Sequence, residues 1–236
     1  MSPHGTSHPI SNNILAKLPS ELLAHLMSKF TEVDLPAGAI LISSDRPIEH
    51  AYFPLRGMIS LVKSLQDGSM VEVGLVGKEG FTGVPLALGA TIDAIDSQVQ
   101  IAGAGLRISA IVFREEVNRS QVFQSSLLRF ANALTAQIAQ TAACNGRHAI
   151  NERLARWLLM ASDRVGDNSL SLSHEFLSVM LGARRPGVTV ALGTFKHAGL
   201  ISNTYHKITI LDRPGMEEAA CECYSAGKHQ FDRLLQ

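Results

Sequence analysis

The chain has 236 residues, 46% of them hydrophobic and 18% charged, so it is globular and long enough for one or two domains with real cores. Its 21 Lys and Arg balance 21 Asp and Glu, so attraction to a charged partner has to come from local asymmetry rather than net charge. No apolar run approaches the roughly 20 residues that span a bilayer, and the polar start has none of the basic and apolar regions of a secretion signal. Three cysteines (Cys144, Cys221 and Cys223) make no disulfide framework and suit a reducing cytoplasm, where the chain is expected to reside without a membrane partner.

In chain order, Met1 to Asn13 reads as a flexible tail. Leu15, Leu18, Leu22, Leu23, Leu26, Met27 and Phe30 form a helical stripe broken at Pro19, which reads as core without function. From residue 36 to 113 the texture changes to short apolar runs separated by glycines. The expected strands are Ala39–Ser43, His50–Phe53, Met58–Leu65, Met70–Val76, Gln98–Ala102 and Leu106–Val112, with Asp67-Gly68 as a hairpin turn. This is the pattern of a small β sandwich or barrel. Within it, Gly77-Lys78-Glu79-Gly80-Phe81-Thr82-Gly83 has enough glycine to bring backbone N–H groups to an anion, and equally suits a plain turn.

From Val122 a long helix follows. Leu127, Ala131, Leu134, Ile138, Thr141, Asn145 and His148 alternate by four and three, a heptad seam suited to pairing with a second copy of the helix. A single amphipathic helix packed on its own domain has the same stripe. Gly146 is expected to loosen the junction that follows. Glu152 to Ser162 reads as helix, with Leu154, Trp157, Leu158 and Ala161 inward and Arg153 and Arg156 toward solvent or phosphate. A turn at residues 165–169 and a short strand around Leu170-Ser171-Leu172 come next.

Ser173 to Leu211 reads as two short helices joined by a tight turn, then a β-hairpin. Ser173 caps the first helix and Glu175 complements its positive end. Phe176, Leu177, Met180 and Leu181 give it a buried face, Gly182 suits the turn, and Pro186 fits the first turn of the next helix. Val188, Leu192 and Phe195 form that helix's inner side. Arg184 and Arg185 stand at its start, where a recognition helix meets base edges, and arginine's fork matches guanine. From Gly182 to Leu211 there are four Lys and Arg and no acid, a local charge of +4. Ser202 to Lys207 turns the hairpin.

These residues resemble the winged helix-turn-helix of the Crp/Fnr family of bacterial transcription regulators. Arg153-Leu154-Ala155-Arg156-Trp157-Leu158-Leu159 resembles the segment before the motif. Ser173-His174-Glu175-Phe176-Leu177 and Met180-Leu181-Gly182-Ala183-Arg184-Arg185 resemble its first helix and turn, and Gly199-Leu200-Ile201 resembles the link into the wing. The resemblance implies an α+β chain: a jelly-roll-like effector β-roll over 14–113, a dimerisation helix over 114–148 and the winged helix-turn-helix over 149–236. It implies double-stranded DNA, a second copy of the chain, RNA polymerase and a small effector as partners. Arg185 matches the arginine that reads guanine. Arg184 and Thr189 stand beside it, Lys196, His197 and Lys207 are expected on phosphates, and Ser173 approaches a phosphate through the helix end. Pro186 and Val190 depart from members with acidic and basic residues there, so the preferred site is expected to differ.

The effector region departs further. Gly80, Phe81, Gly83 and Val84 fall where the family holds its effector, but Val84 replaces the glutamate that contacts ribose. No Arg or Lys occurs from Val84 to Ala104, where Asp93 and Asp96 stand instead. A buried phosphate without a cation is costly, so cyclic AMP is not expected as the effector. Iron–sulfur sensing lacks N-terminal cysteines, and haem would need an axial ligand such as His25 or His50. The alternative trigger is metal or redox chemistry at Cys221-Glu222-Cys223 with His229, although that spacing fits no strong zinc signature. No hydrolase, metalloprotease or phosphate-loop motif is present, so an enzyme is not expected. A ligand-binding protein that has lost DNA is disfavoured by the arginine pair and the acid-free segment.

Overall fold

A computed structural model describes residues 10–204 and 207–235. It opens with helices α1 (Asn13–Ala16) and α2 (Ser20–Met27), broken at Pro19. Asn12 is fully buried rather than part of a tail. Its carbonyl oxygen caps α1 by accepting from the N–H groups of Ile14 and Leu15, while its amide donates to the carbonyls of Pro54 and Gly80. A side chain that satisfies both ends of itself pins the chain start to the sheet.

Strands β1 (Thr31–Leu35), β2 (Ile40–Ile42), β3 (His50–Ser64) and β4 (Met70–Val76), helix α3 (Val84–Ala87) and strand β5 (Asp96–Ser109) make an antiparallel β-roll. The sheet order is β1-β5-β3-β4, with β2 also pairing β5. β1 is not among the expected strands. Two expected pairs of strands merge into β3 and β5, because glycines that look like breaks serve as bulges. Register shifts between Pro54 and Ile59 carry β3 past β5. Gly57 takes φ +85°, and a Cβ there would stand 2.5 Å from the Ile101 carbonyl oxygen. Residues Ala110 to Val112, expected at a strand's end, instead start helix α4 (Ala110–Arg119), which Ser109 caps.

Helix α5 (Gln121–Arg147) runs along the roll. Its Phe123 and Phe130 join Phe53, Phe81 and Phe113 in an aromatic core with ring centroids 5.2 to 6.4 Å apart. The expected pairing seam is therefore corrected. Leu127, Ala131 and Leu134 are buried in the chain's own core, and Ile138 packs against it. Thr141 accepts a hydrogen bond from Arg156, and Asn145 accepts one from Arg153. The roll has taken the greasier stripe. The face left exposed is Leu128, Asn132, Thr135, Ala139, Ala142 and Gly146, one residue along and with the same alternation of four and three.

The helix breaks at His148–Ala149, just beyond Gly146. Next come α6 (Ile150–Val165), β6 (Ser169–Leu170), α7 (His174–Met180), α8 (Arg185–His197), β7 (Ile201–Thr204), β8 (Lys207–Ile210), α9 (Arg213–Ala219) and α10 (Cys223–Leu234). Strands β6, β8 and β7 form a small sheet in that order, giving the wing. The expected wing turn includes Tyr205 and His206, which lie outside the described residues. Arg153 and Arg156, expected to face solvent, are turned inward. Arg156 is buried on Thr141, and Arg153 also donates to the Leu181 carbonyl.

A second core joins Leu154, Leu158, Leu177, Leu192, Phe195 and Ile208 to Met58, Val62 and Leu75 of the roll. At this junction Trp157 donates to the buried Glu72 carboxylate at 2.7 Å, and Ser60 donates to it as well. Burial pushes Glu72 up to about 7, against the pull of these hydrogen bonds and of Arg164 and Arg156. Arg164 pairs with Glu79 at 3.1 Å. α10 returns to α5, with Phe231 edge-on to Phe130. Among the described residues no helix is long and apolar enough to cross a membrane.

Candidate nucleic-acid interface

The interface is built from the start of α7 upward. Ser173 caps α7 by accepting from the Phe176 N–H at 3.1 Å. At the other end Gly182 takes φ +54°, and the N–H groups of Gly182 and Ala183 close the turn on Val179 and Ser178. The chain enters α8 through Arg184, whose guanidinium makes no capping bond, and Pro186 sits in the first turn. Val188, Ala191, Leu192 and Phe195 are buried, which commits the opposite face to solvent. That face carries Arg184, Arg185, Thr189, Val190, Lys196 and His197, and Lys207 is exposed nearby on β8. Val190 is 68% exposed, an apolar group displayed at the centre of a polar face.

Two contacts were not legible in the motif. His174 bridges the site: its Nδ1 lies 3.1 Å from the Thr189 hydroxyl, and its Nε2 lies 3.1 Å from the Asn203 amide. Asn203 donating to Nε2 leaves Nδ1–H to donate to Thr189, so one imidazole ties α7, α8 and the wing together. The only clue is His174 at the position after the cap. Glu175, outside the acid-free segment in sequence, comes within 3.6 Å of Arg185. Both side chains are about two-thirds exposed, so the pair is weak and can be exchanged for a better partner.

The loop expected to hold an effector turns its aromatic side chain inward. Phe81 is fully buried and stacks on Phe53 at 5.2 Å. A Cβ on Gly80 would collide with the Phe130 ring, and Gly83 takes φ +87° to start α3, where Val84 is half-buried. Phe81 is thus a core residue, because the roll's interior is filled by aromatic rings. Burial raises the Asp93 carboxyl, with Asp96 adding to the effect and Lys63 opposing it. His25 is engaged by Glu116 at 2.9 Å. A cleft of about 490 Å³ opens on the far side of the same loop, among α1, α5, α6 and α10. Lys17, Lys78, Arg129, Arg156, Arg164 and Lys228 line it against Glu79, Asp163 and Asp232.

Among the described residues, those that can hold a metal are Cys144, His148, Cys221 and Cys223, whose ligand atoms all lie within 4.8 Å of one another. Cys221 and Cys223 are joined by Cys144 of α5 and His148 at its C-cap, not by His229.

A capped helix, a glycine turn, an exposed cationic second helix and a three-stranded wing define a DNA-binding transcription regulator of the winged helix-turn-helix class. Residues 152–219 match the Crp-like helix-turn-helix domain. The C-terminal part of the chain is therefore a Crp-like helix-turn-helix domain. The chain is 27% identical over 208 residues to the global nitrogen regulator of Synechocystis sp. (strain ATCC 27184 / PCC 6803 / Kazusa), covering 84% of this chain and 89% of that protein. Its fold is that of FixK2 from Bradyrhizobium japonicum, with TM-score 0.71, 16% identity and coverage of 81% and 98% of the two chains. A CRP-family transcriptional regulator of Thermus thermophilus is similar at TM-score 0.65 and 18% identity, with coverage of 80% and 96%.

Proposed function

We propose that the regulator binds a two-fold symmetric operator as a homodimer and answers to an effector other than cyclic AMP. The observation that carries the reading is the exposed, acid-free face of α8, backed by a fully buried inner face. In this reading Arg185 and Arg184 meet base edges, with Thr189 beside them. Ser173, Lys196, His197 and Lys207 meet phosphates. Two copies pair along the exposed stripe of α5 from Leu128 to Gly146, whose small residues favour close approach. RNA polymerase is the partner that reads operator occupancy.

The domains divide as 14–113 for the effector roll, 114–148 for the pairing helix and 149–236 for DNA binding. Gly80, Phe81, Gly83 and Val84 shape the effector loop from its buried side, and a ligand reaches that loop from the cleft at Lys78 and Glu79. The absence of any Arg or Lys from Val84 to Ala104 is the reason for excluding a cyclic phosphate there.

The test is selection of bound duplexes from a random pool by the full-length protein. A palindrome with half-sites about one helical turn apart is the expected result. A single unpaired half-site would contradict the dimer, and absence of binding at low salt would contradict the reading itself. Calorimetry with cyclic AMP should detect no micromolar binding.

A further inference from the structure

We propose that Cys144, His148, Cys221 and Cys223 form a tetrahedral Cys3His site for a thiophilic divalent cation, with zinc as the ion of matching chemistry. The site is separate from the DNA-binding face and does not rest on the reading above.

The geometry fits one ion. A tetrahedron with metal–sulfur bonds of about 2.3 Å has sulfur–sulfur edges of about 3.8 Å. Cys144 Sγ and Cys221 Sγ stand 3.5 Å apart, Cys223 Sγ and His148 Nδ1 stand 3.5 Å apart, and no pair of the four ligand atoms exceeds 4.8 Å. The set is assembled from two places. Cys144 lies in the last turn of α5, and His148 is the C-cap residue whose backbone N–H donates to the Cys144 carbonyl at 3.0 Å, which keeps the two close. Cys221 and Cys223 come from the junction of α9 and α10. All three sulfurs are buried and His148 is half-buried, so the cage is shielded from water on most sides.

The surroundings supply what a metal site needs beyond its ligands. His148 turns Nδ1 to the sulfurs because its Nε2 is held by the Glu222 carboxylate at 3.2 Å. A carboxylate on the far ring nitrogen is the usual device that fixes the tautomer and orientation of a metal-bound histidine. The Gln140 amide donates to Cys223 Sγ at 2.9 Å, a bond that favours thiolate over thiol. Three thiolates around a divalent ion leave one negative charge, and Arg153 and Arg156 stand within electrostatic reach of Cys144. On binding, each thiol gives its proton to solvent as its sulfur takes the metal.

Four protein ligands close the coordination sphere, which is the mark of a structural rather than a catalytic site. The place matters: the ion would clamp α10 to the last turn of α5, at the break where the chain passes into α6. It would fix the angle at which the long helix hands over to the DNA-binding domain.

The test uses full-length reduced protein stripped with a chelator, then titrated with Co²⁺ alone as a spectroscopic probe and with Zn²⁺ against a chromophoric chelator. The expected result is one ion per chain, with thiolate-to-cobalt charge transfer and the intense ligand-field bands of tetrahedral cobalt. Zn²⁺ should displace the cobalt and raise the Tm. Cys223→Ser and His148→Ala should each weaken the ion by tenfold or more and alter those bands, with circular dichroism confirming the fold. Three outcomes would overturn the proposal. These are a wild-type chain with titratable thiols and no cobalt bands, a polynuclear iron chromophore on the same cysteines, or a Cys144–Cys221 disulfide as the form present under reducing conditions.

Discussion

The loop at Gly80–Val84 and the turn at Gly182–Arg185 are built from the same local parts. Each places a glycine at positive φ next to a short helix, Gly83 at +87° before α3 and Gly182 at +54° before α8. Their neighbours go opposite ways. After Gly80, Phe81 enters the aromatic core; after Gly182, Arg184 and Arg185 enter solvent. Glycine chemistry specifies the turn, and the apolar or cationic character of the adjoining residues decides whether it becomes core or surface.

The largest expected effect breaks the comparison from the core side. Phe81→Ala should cost about 3–5 kcal/mol of stability in denaturant unfolding, as deletion of a buried ring does. A loss below about 1 kcal/mol would mean that Phe81 lines a ligand space instead. The junction between the two regions supplies the next test. Glu72 is pushed up to about 7 in the folded chain against an ordinary value of 4.5, so the folded state holds this proton more tightly. Its protonated form therefore stabilises the fold below about 4.5, and that contribution, at most about 3 kcal/mol, is lost as pH rises through 7. Glu72→Gln keeps an acceptor for Trp157 and should flatten the fall in stability between those limits. An unchanged slope would place the titration elsewhere.

On the exposed side the effects are smaller. Leu128→Glu should weaken self-association by about 2 kcal/mol in sedimentation, the worth of one buried leucine, and leave the monomer folded. No change would remove this stripe as the pairing face. Lys196→Ala should lower the salt slope of DNA binding by about 1 and weaken all sequences alike. A sequence-dependent loss would make Lys196 a base reader.

Legibility follows the range of the interactions. Ser173, Gly182 and Pro186 act within a few residues of themselves, so α7, its turn and α8 are readable from the chain. Asn12 is not, because its partners are Pro54 and Gly80. The two strand pairs read as separate because a bulge glycine looks like a turn glycine until the partner strand is known. The exposed seam on α5 lies one residue from the expected one for a related reason. Both stripes alternate by four and three, and only packing against the roll tells which one is spent. The thiol set is half visible, since Cys144 and Cys221 are 77 residues apart in sequence and 3.5 Å apart in space.

The most direct measurement of the central claim is the duplex selection run in parallel on the wild type and Arg185→Ala. If α8 reads bases through Arg185, both proteins should enrich a palindrome. The variant's should lose information at one symmetry-related base pair in each half-site, with about 1–3 kcal/mol lost on the wild-type sequence. An identical motif and affinity for the two proteins would contradict the account.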